Sequence, residues 1–120
     1  MNDPLYREII LENFEHPQNY GVVKNANAEK TSVNELCGDK IHISARIVNK
    51  KIAEIAWEGE GCAIARAAAS ILTGETEGQP VVKIKKMTSE AFLKKMGITL
   101  TPARRKCALL GFATLQEAIK

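Results

Sequence analysis

Apolar residues near the start of the chain recur at helical spacing: Tyr6, Ile9, Ile10 and Phe14. Asp3-Pro4 ahead of them pairs a capping side chain with a proline at the first helical position, and His16-Pro17 closes the run. The pattern predicts a helix over about 4–15. Residues 17–27, rich in Asn, Pro and Gly, predict an irregular loop. The period then changes to two. Residues 28–34 are a strand candidate, and over 39–48 Ile41, Ile43, Ala45 and Ile47 alternate with His42, Ser44, Arg46 and Val48. A polar turn at Asn49-Lys50-Lys51 leads to Ala53, Ile55 and Trp57 on one face, with Glu54 and Glu58 on the other. This is a hairpin with one buried face. Gly59-Glu60-Gly61 is expected to break the second strand. The alanine-rich run from Cys62 is helix-forming and is expected to stop near Gly74. Residues 79–87 fit a strand or a helix. A short helix over 89–96 ends at Gly97, and Thr101-Pro102 opens a last helix. The stripe of that helix is Ala108, Leu109, Phe112, Leu115 and Ile119. The order of elements is α+β, in a single domain over residues 1–120.

Composition narrows the function. Aromatic residues make up 5%, too few for a base-stacking surface, and a net charge of +3 is too mild to imply nucleic acid. No apolar run approaches the ~18 residues of a membrane span. The first residues lack the basic-then-apolar pattern of a secretory signal, so a cytoplasmic location is expected, with the three cysteines kept as thiols. The charge is unevenly spread. Residues 83–106 carry Lys83, Lys85, Lys86, Lys94, Lys95, Arg104, Arg105 and Lys106 against one acid, Glu90. That is either a solvated lysine face or a docking patch for an acidic protein.

The chemistry sits on few residues. Cys37 and Asp39 flank Gly38 between two strand candidates, where a bend lets both point at one ion. Cys62 opens a helix, where unpaired N–H groups and the helix dipole favour a thiolate. Cys107 lies one turn into the last helix, after the cations Arg104, Arg105 and Lys106. Read singly, each cysteine also suits a small buried core residue. Together, Cys37, Asp39, Cys62 and Cys107 supply four ligands, the number for tetrahedral zinc or one end of an iron–sulfur cluster. Without a Cys-x-x-Cys pair, thioredoxin-type redox chemistry and ordinary zinc ribbons are disfavoured. His16 and His42 lie away from the cysteines in sequence, so a Cys–His hydrolase is poorly supported. Gly59-Glu60-Gly61 lacks the Gly-Lys-Ser/Thr of a phosphate loop.

Three spaced motifs carry a resemblance: Asn34-x-x-Cys37-Gly38-Asp39, Gly59-x-Gly61-Cys62-Ala63-Ile64, and Pro102-Ala103-Arg104-x-x-Cys107-x-x-Leu110. With Pro17 and Gly21 after the first helix, the chain resembles the family of IscU, SufU and the N-terminal domain of NifU over nearly its whole length. The resemblance implies a SufE/NifU-like α+β fold, with a three-stranded antiparallel sheet and helices on one face. It implies an exposed site of Cys37, Asp39, Cys62 and Cys107 that receives sulfur from a cysteine desulfurase. There a transient [2Fe–2S] cluster is built from iron and sulfur and passed to apo iron–sulfur acceptor proteins. A non-enzymatic scaffold is implied first, and the alternative is a zinc-dependent sulfurtransferase of the SufU kind. Lys106 resembles the SufU branch, and the short interval from Cys62 to Cys107 resembles the IscU branch. Zinc is expected in protein isolated in air. Cys107 is the expected persulfide acceptor, because its cationic neighbours favour the thiolate and its place near the helix start predicts the greatest exposure. Arg66, where the family usually has serine, has no evident role in the sequence.

Overall fold

A computed structural model describes residues 4–35, 38–97 and 100–120, with side chains from residue 7 onward. Its elements are α1 (Pro4–Glu15), β1 (Ala28–Asn34), β2 (Asp39–Val48), β3 (Lys51–Glu60), α2 (Ala63–Thr76), α3 (Val81–Lys86), α4 (Ser89–Met96) and α5 (Pro102–Ala118). The strands form one antiparallel sheet in the order β1-β2-β3. Ile41, Ile43 and Ala45 of β2 are fully buried and join the core with Ala67, Ala69 and Leu72 of α2 and Ala108 and Leu115 of α5. The small residues expected to allow close packing do so: the position a side chain would take at Gly111 lies 3.6 Å from Ala69. The Asp3 cap and the Tyr6 side chain lie outside the described residues.

Four local readings change. Asn49 and Lys50 both take positive φ, 51° and 64°, so the hairpin closes as a two-residue left-handed turn and Lys51 already belongs to β3. Arg46 pairs with Glu54 but Ile47 pairs with Ile52, which leaves Ala53 as an extra residue on β3. The bulge turns Ala53 to solvent and puts Ile52 in the core, reversing the expected face for the start of that strand. Gly59 does not break β3. The strand runs to Glu60, and a side chain at Gly59 would strike the Lys40 carbonyl across the ladder. Likewise α2 passes Gly74, against which the end of the Gln18 side chain lies, and ends at Thr76; the chain turns at Gly78, with φ 82°.

The ambiguous 79–87 stretch does a little of both. Gly78 donates to Ile52 O at 2.7 Å and Ile52 to Gln79 O at 2.9 Å, extending the sheet edge by a short bridge. After Pro80 the chain coils into α3, whose Ile84 is buried. Gln116 of α5 donates to Ile84 O at 2.8 Å, which anchors the end of α3. Phe92 of α4 stacks on Phe112 of α5 at 5.7 Å, and Leu109 of the predicted stripe is only partly buried.

The loop after α1 is held by buried polar groups. Asn13 accepts from Ser70 Oγ at 2.6 Å and from Gln18 Nε2 at 2.9 Å, and Ser70 Oγ accepts the Gln18 N–H at 2.7 Å. Trp57 donates its indole N–H to Gln18 O at 2.9 Å, and its backbone N–H to Asn19 O at 3.0 Å. Arg66 gains a role here: its guanidinium lies 5.1 Å from the Phe14 ring centre, joining α1 to α2.

Lys50 holds a left-handed conformation that costs a side-chain-bearing residue about 1 kcal/mol. Lys50→Gly is expected to stabilise the chain by roughly 0.5 kcal/mol after the added freedom of the unfolded glycine, raising Tm by about 2 °C. Scanning calorimetry measures this, and a lowered Tm would contradict it.

Candidate functional site

Asp39, the first residue of β2, pairs with Asn34 at the end of β1 and is fully buried. A buried carboxylate needs donors. One comes from the far side of the sheet: the Cys62 N–H donates to Asp39 Oδ1 at 2.9 Å. That contact requires the chain leaving β3 to pass directly over Asp39, and Gly61 makes it possible. Its φ is 140°, and a Cβ there would collide with Oδ1 and Cγ of Asp39.

Cys62 is the N-cap of α2, in extended conformation, and its Sγ accepts the Ala65 N–H at 3.4 Å. The sulfur thus occupies the place of a capping oxygen, where helix-end N–H groups stabilise negative charge. It lies 4.0 Å from Asp39 Oδ2. Cys107 arrives from α5, and Asn34 Nδ2 donates to its Sγ at 3.9 Å. The ligand atoms of Asp39, Cys62 and Cys107 all lie within 4.8 Å of one another. Cys37, the fourth expected ligand, lies outside the described residues.

Two thiols and a carboxylate suit zinc or iron. With metal–sulfur bonds near 2.3 Å, tetrahedral donors sit about 3.7 Å apart, so these three need draw in by about 1 Å. They fit such an ion without rearrangement of the elements that carry them.

The exposure expected for Cys107 is corrected. Its residue is only 3% exposed, whereas Cys62 is half-buried. Pro102 to Lys106 are all exposed, but Cys107 begins the row with Gly111 and Thr114 that α5 turns inward. His42 lies in β2, where it meets Thr31 Oγ1 at 2.7 Å and Glu29 at 3.3 Å, and His16 is exposed after α1. Neither is in the three-residue grouping.

Two contributors escaped the sequence reading. Asn34 was visible only as a motif letter, and its contact with Cys107 spans 73 positions. Gly61 read as a strand breaker, although its role is to clear space for Asp39.

A small antiparallel sheet with a carboxylate and cysteines gathered where β2, α2 and α5 begin defines a compact metal- or sulfur-handling class. Residues 5–120 match the NifU-like N terminal domain family, and the chain belongs to it. It is 28% identical over 134 residues to the zinc-dependent sulfurtransferase SufU of Bacillus subtilis, covering 98% of this chain and 90% of that protein. It is 32% identical over 117 residues to the iron–sulfur cluster assembly scaffold protein IscU of Aquifex aeolicus, covering 96% of this chain and 74% of the relative. Its fold is shared with the N-terminal NifU-like protein of Brucella abortus, with a TM-score of 0.78 at 20% identity over 95% of this chain and 91% of that one.

Gly61→Ala is expected to destabilise the chain by about 2 kcal/mol or more, through backbone strain and the collision with Asp39. Adding Asp39→Ala should relieve part of that penalty, because two of the colliding atoms disappear. Denaturant titration of the two single variants and the double variant gives the coupling. Strict additivity would contradict the contact.

Proposed function

We propose that this chain is an iron–sulfur cluster assembly scaffold, which takes sulfur from a cysteine desulfurase and hands a [2Fe–2S] cluster to acceptor proteins. The supporting observation is a buried carboxylate and two thiols within 4.8 Å of one another, in a chain of the NifU-like family. In this reading Cys37, Asp39, Cys62 and Cys107 hold the cluster or its precursors. The cluster is cargo, so the site must bind it and also let it go. A carboxylate is a harder and poorer partner for cluster iron than a thiolate, which makes Asp39 the point of release. The same donors suit zinc, in keeping with the SufU relative's name, and zinc is proposed for protein handled in air.

Sulfur arrives as the outer atom of a persulfide on the desulfurase. An acceptor thiolate attacks that atom, a new S–S bond forms, the old one breaks, and the desulfurase cysteine leaves as a thiolate. Cys107 is the proposed acceptor, with Arg104, Arg105 and Lys106 beside it in sequence. Since Cys107 is buried and its sulfur accepts from Asn34, delivery calls for a local opening that exposes this sulfur.

Anaerobic reconstitution with iron, cysteine and a desulfurase tests the reading. The expected product has charge-transfer absorption in the visible range and equal iron and sulfide, and transfers to an apo-ferredoxin. A colourless protein that binds only zinc would overturn it. Asp39→Ala is expected to keep the fold and slow cluster transfer, followed by visible circular dichroism; transfer at or above the wild-type rate would remove Asp39 from that role.

Peptide mass spectrometry after brief incubation with desulfurase and cysteine locates the added sulfur. It is expected on Cys107. Sulfur confined to Cys37 or Cys62 from the earliest times would reassign the acceptor.

A further inference from the structure

The basic stretch of the sequence is divided in space. Arg104, Arg105 and Lys106 stand at the start of α5, next to Cys107 in sequence, and Arg105 pairs with Glu90 of α4. Lys83, Lys85 and Lys86 lie on α3, which is tied to the opposite end of the sheet: Val81 N donates to Lys50 O at 2.9 Å, and Pro80 bridges Lys51. Asp39 and that turn are separated by the length of β2, ten residues or about 30 Å.

α3 has a recess on each side. One, of about 350 Å³, lies between the ends of α2, α3 and α4; Ile84, Met87 and Ala91 contribute apolar lining, and Lys83, Lys86 and Lys95 contribute cations. The other, of about 490 Å³, is lined by Val81 and Val82 together with Lys50, Lys51 and Lys85. Val82 is 59% exposed, the most exposed large apolar side chain among the described residues. Among the described residues Glu75 is the one acid lining either recess, and it already pairs with Lys95 at 3.5 Å. Lys50, Lys51, Lys85 and Lys86 make no ion pair among the described residues.

Three lysines in each recess repel one another, and apolar surface between them, above all Val82, is left open to water. Both features are relieved by the same occupant. We propose that α3 and its two recesses dock an acidic, amphipathic segment of a partner protein, with its carboxylates on the lysines and an aliphatic side chain over Met87 and Ala91. Nucleic acid is a poorer fit, because no aromatic or arginine residue among the described residues lines either recess. A flat anionic membrane would meet the lysines but not the apolar atoms between them. The inference stands apart from cluster assembly: a partner held here leaves the thiol end free for another.

The test uses the full chain, labelled with ¹⁵N, and a synthetic 14-residue helical peptide with one leucine face and one glutamate face. Amide shifts are expected to concentrate in residues 79–95 and at the 49–51 turn, and affinity should fall as salt is raised. Lys83→Glu/Lys86→Glu should weaken binding by about tenfold or more, and Lys24→Glu/Lys30→Glu, with the same change of net charge, by less than about twofold. Shifts centred on Arg104 to Lys106, or equal loss in both variants, would overturn the proposal. So would equal binding of a peptide with alanine in place of leucine, or tighter binding of an oligothymidylate or of phosphatidylglycerol vesicles. Circular dichroism checks each variant's fold, and the shift map of the unaltered chain decides the matter if a variant fails to fold.

Discussion

The hydrogen bond from the Cys62 N–H to the buried carboxylate of Asp39 is the contact on which the site's geometry depends. It fixes where α2 begins relative to the sheet, and so where the Cys62 sulfur points. The carboxylate gains a donor where it is buried, and the helix loses one of its unpaired N–H groups. The bond exists only because glycine at position 61 lets the backbone cross close above Asp39. α5 then delivers Cys107 against the same carboxylate through a helix face of small residues.

Much of this was legible in the residues. The period of two in β2 and the capping pairs at Cys62 and Thr101 marked elements that the fold contains at nearly those bounds. The resemblance implied one site for Cys37, Asp39, Cys62 and Cys107, and the last three do converge. What was illegible depended on contacts between distant segments. The bulge at Ala53 comes from ladder register, which a single strand's pattern does not carry. Gly59 and Gly74 looked like stops because their own sequence neighbourhoods say so, yet each is set by a group that approaches from elsewhere, Lys40 or Gln18. The burial of Cys107 was misread for a related reason. Its charged neighbours in sequence describe the outer side of the first turns of α5, and the sulfur lies on the inner side.

The division of the basic residues has a similar lesson. Eight cations within 24 positions suggest one patch on paper, yet they are spread over α3, α4 and the start of α5, and Arg105 is already paired with Glu90 of α4. The α3 lysines lie near the hairpin end instead.

Trp57 is the only tryptophan in the chain, fully buried, with its indole N–H on Gln18 O and the Tyr20 ring edge-on at 4.8 Å. The chain therefore contains its own optical probe. Emission from this indole should be blue-shifted while the loop after α1 lies against the outer edge of β3, and should move to longer wavelength if that loop lifts away. Tyrosine excitation should reach the same indole by energy transfer across the short ring separation. Opening of this edge can thus be followed without a label, in a protein whose own sulfur chemistry would complicate attaching one.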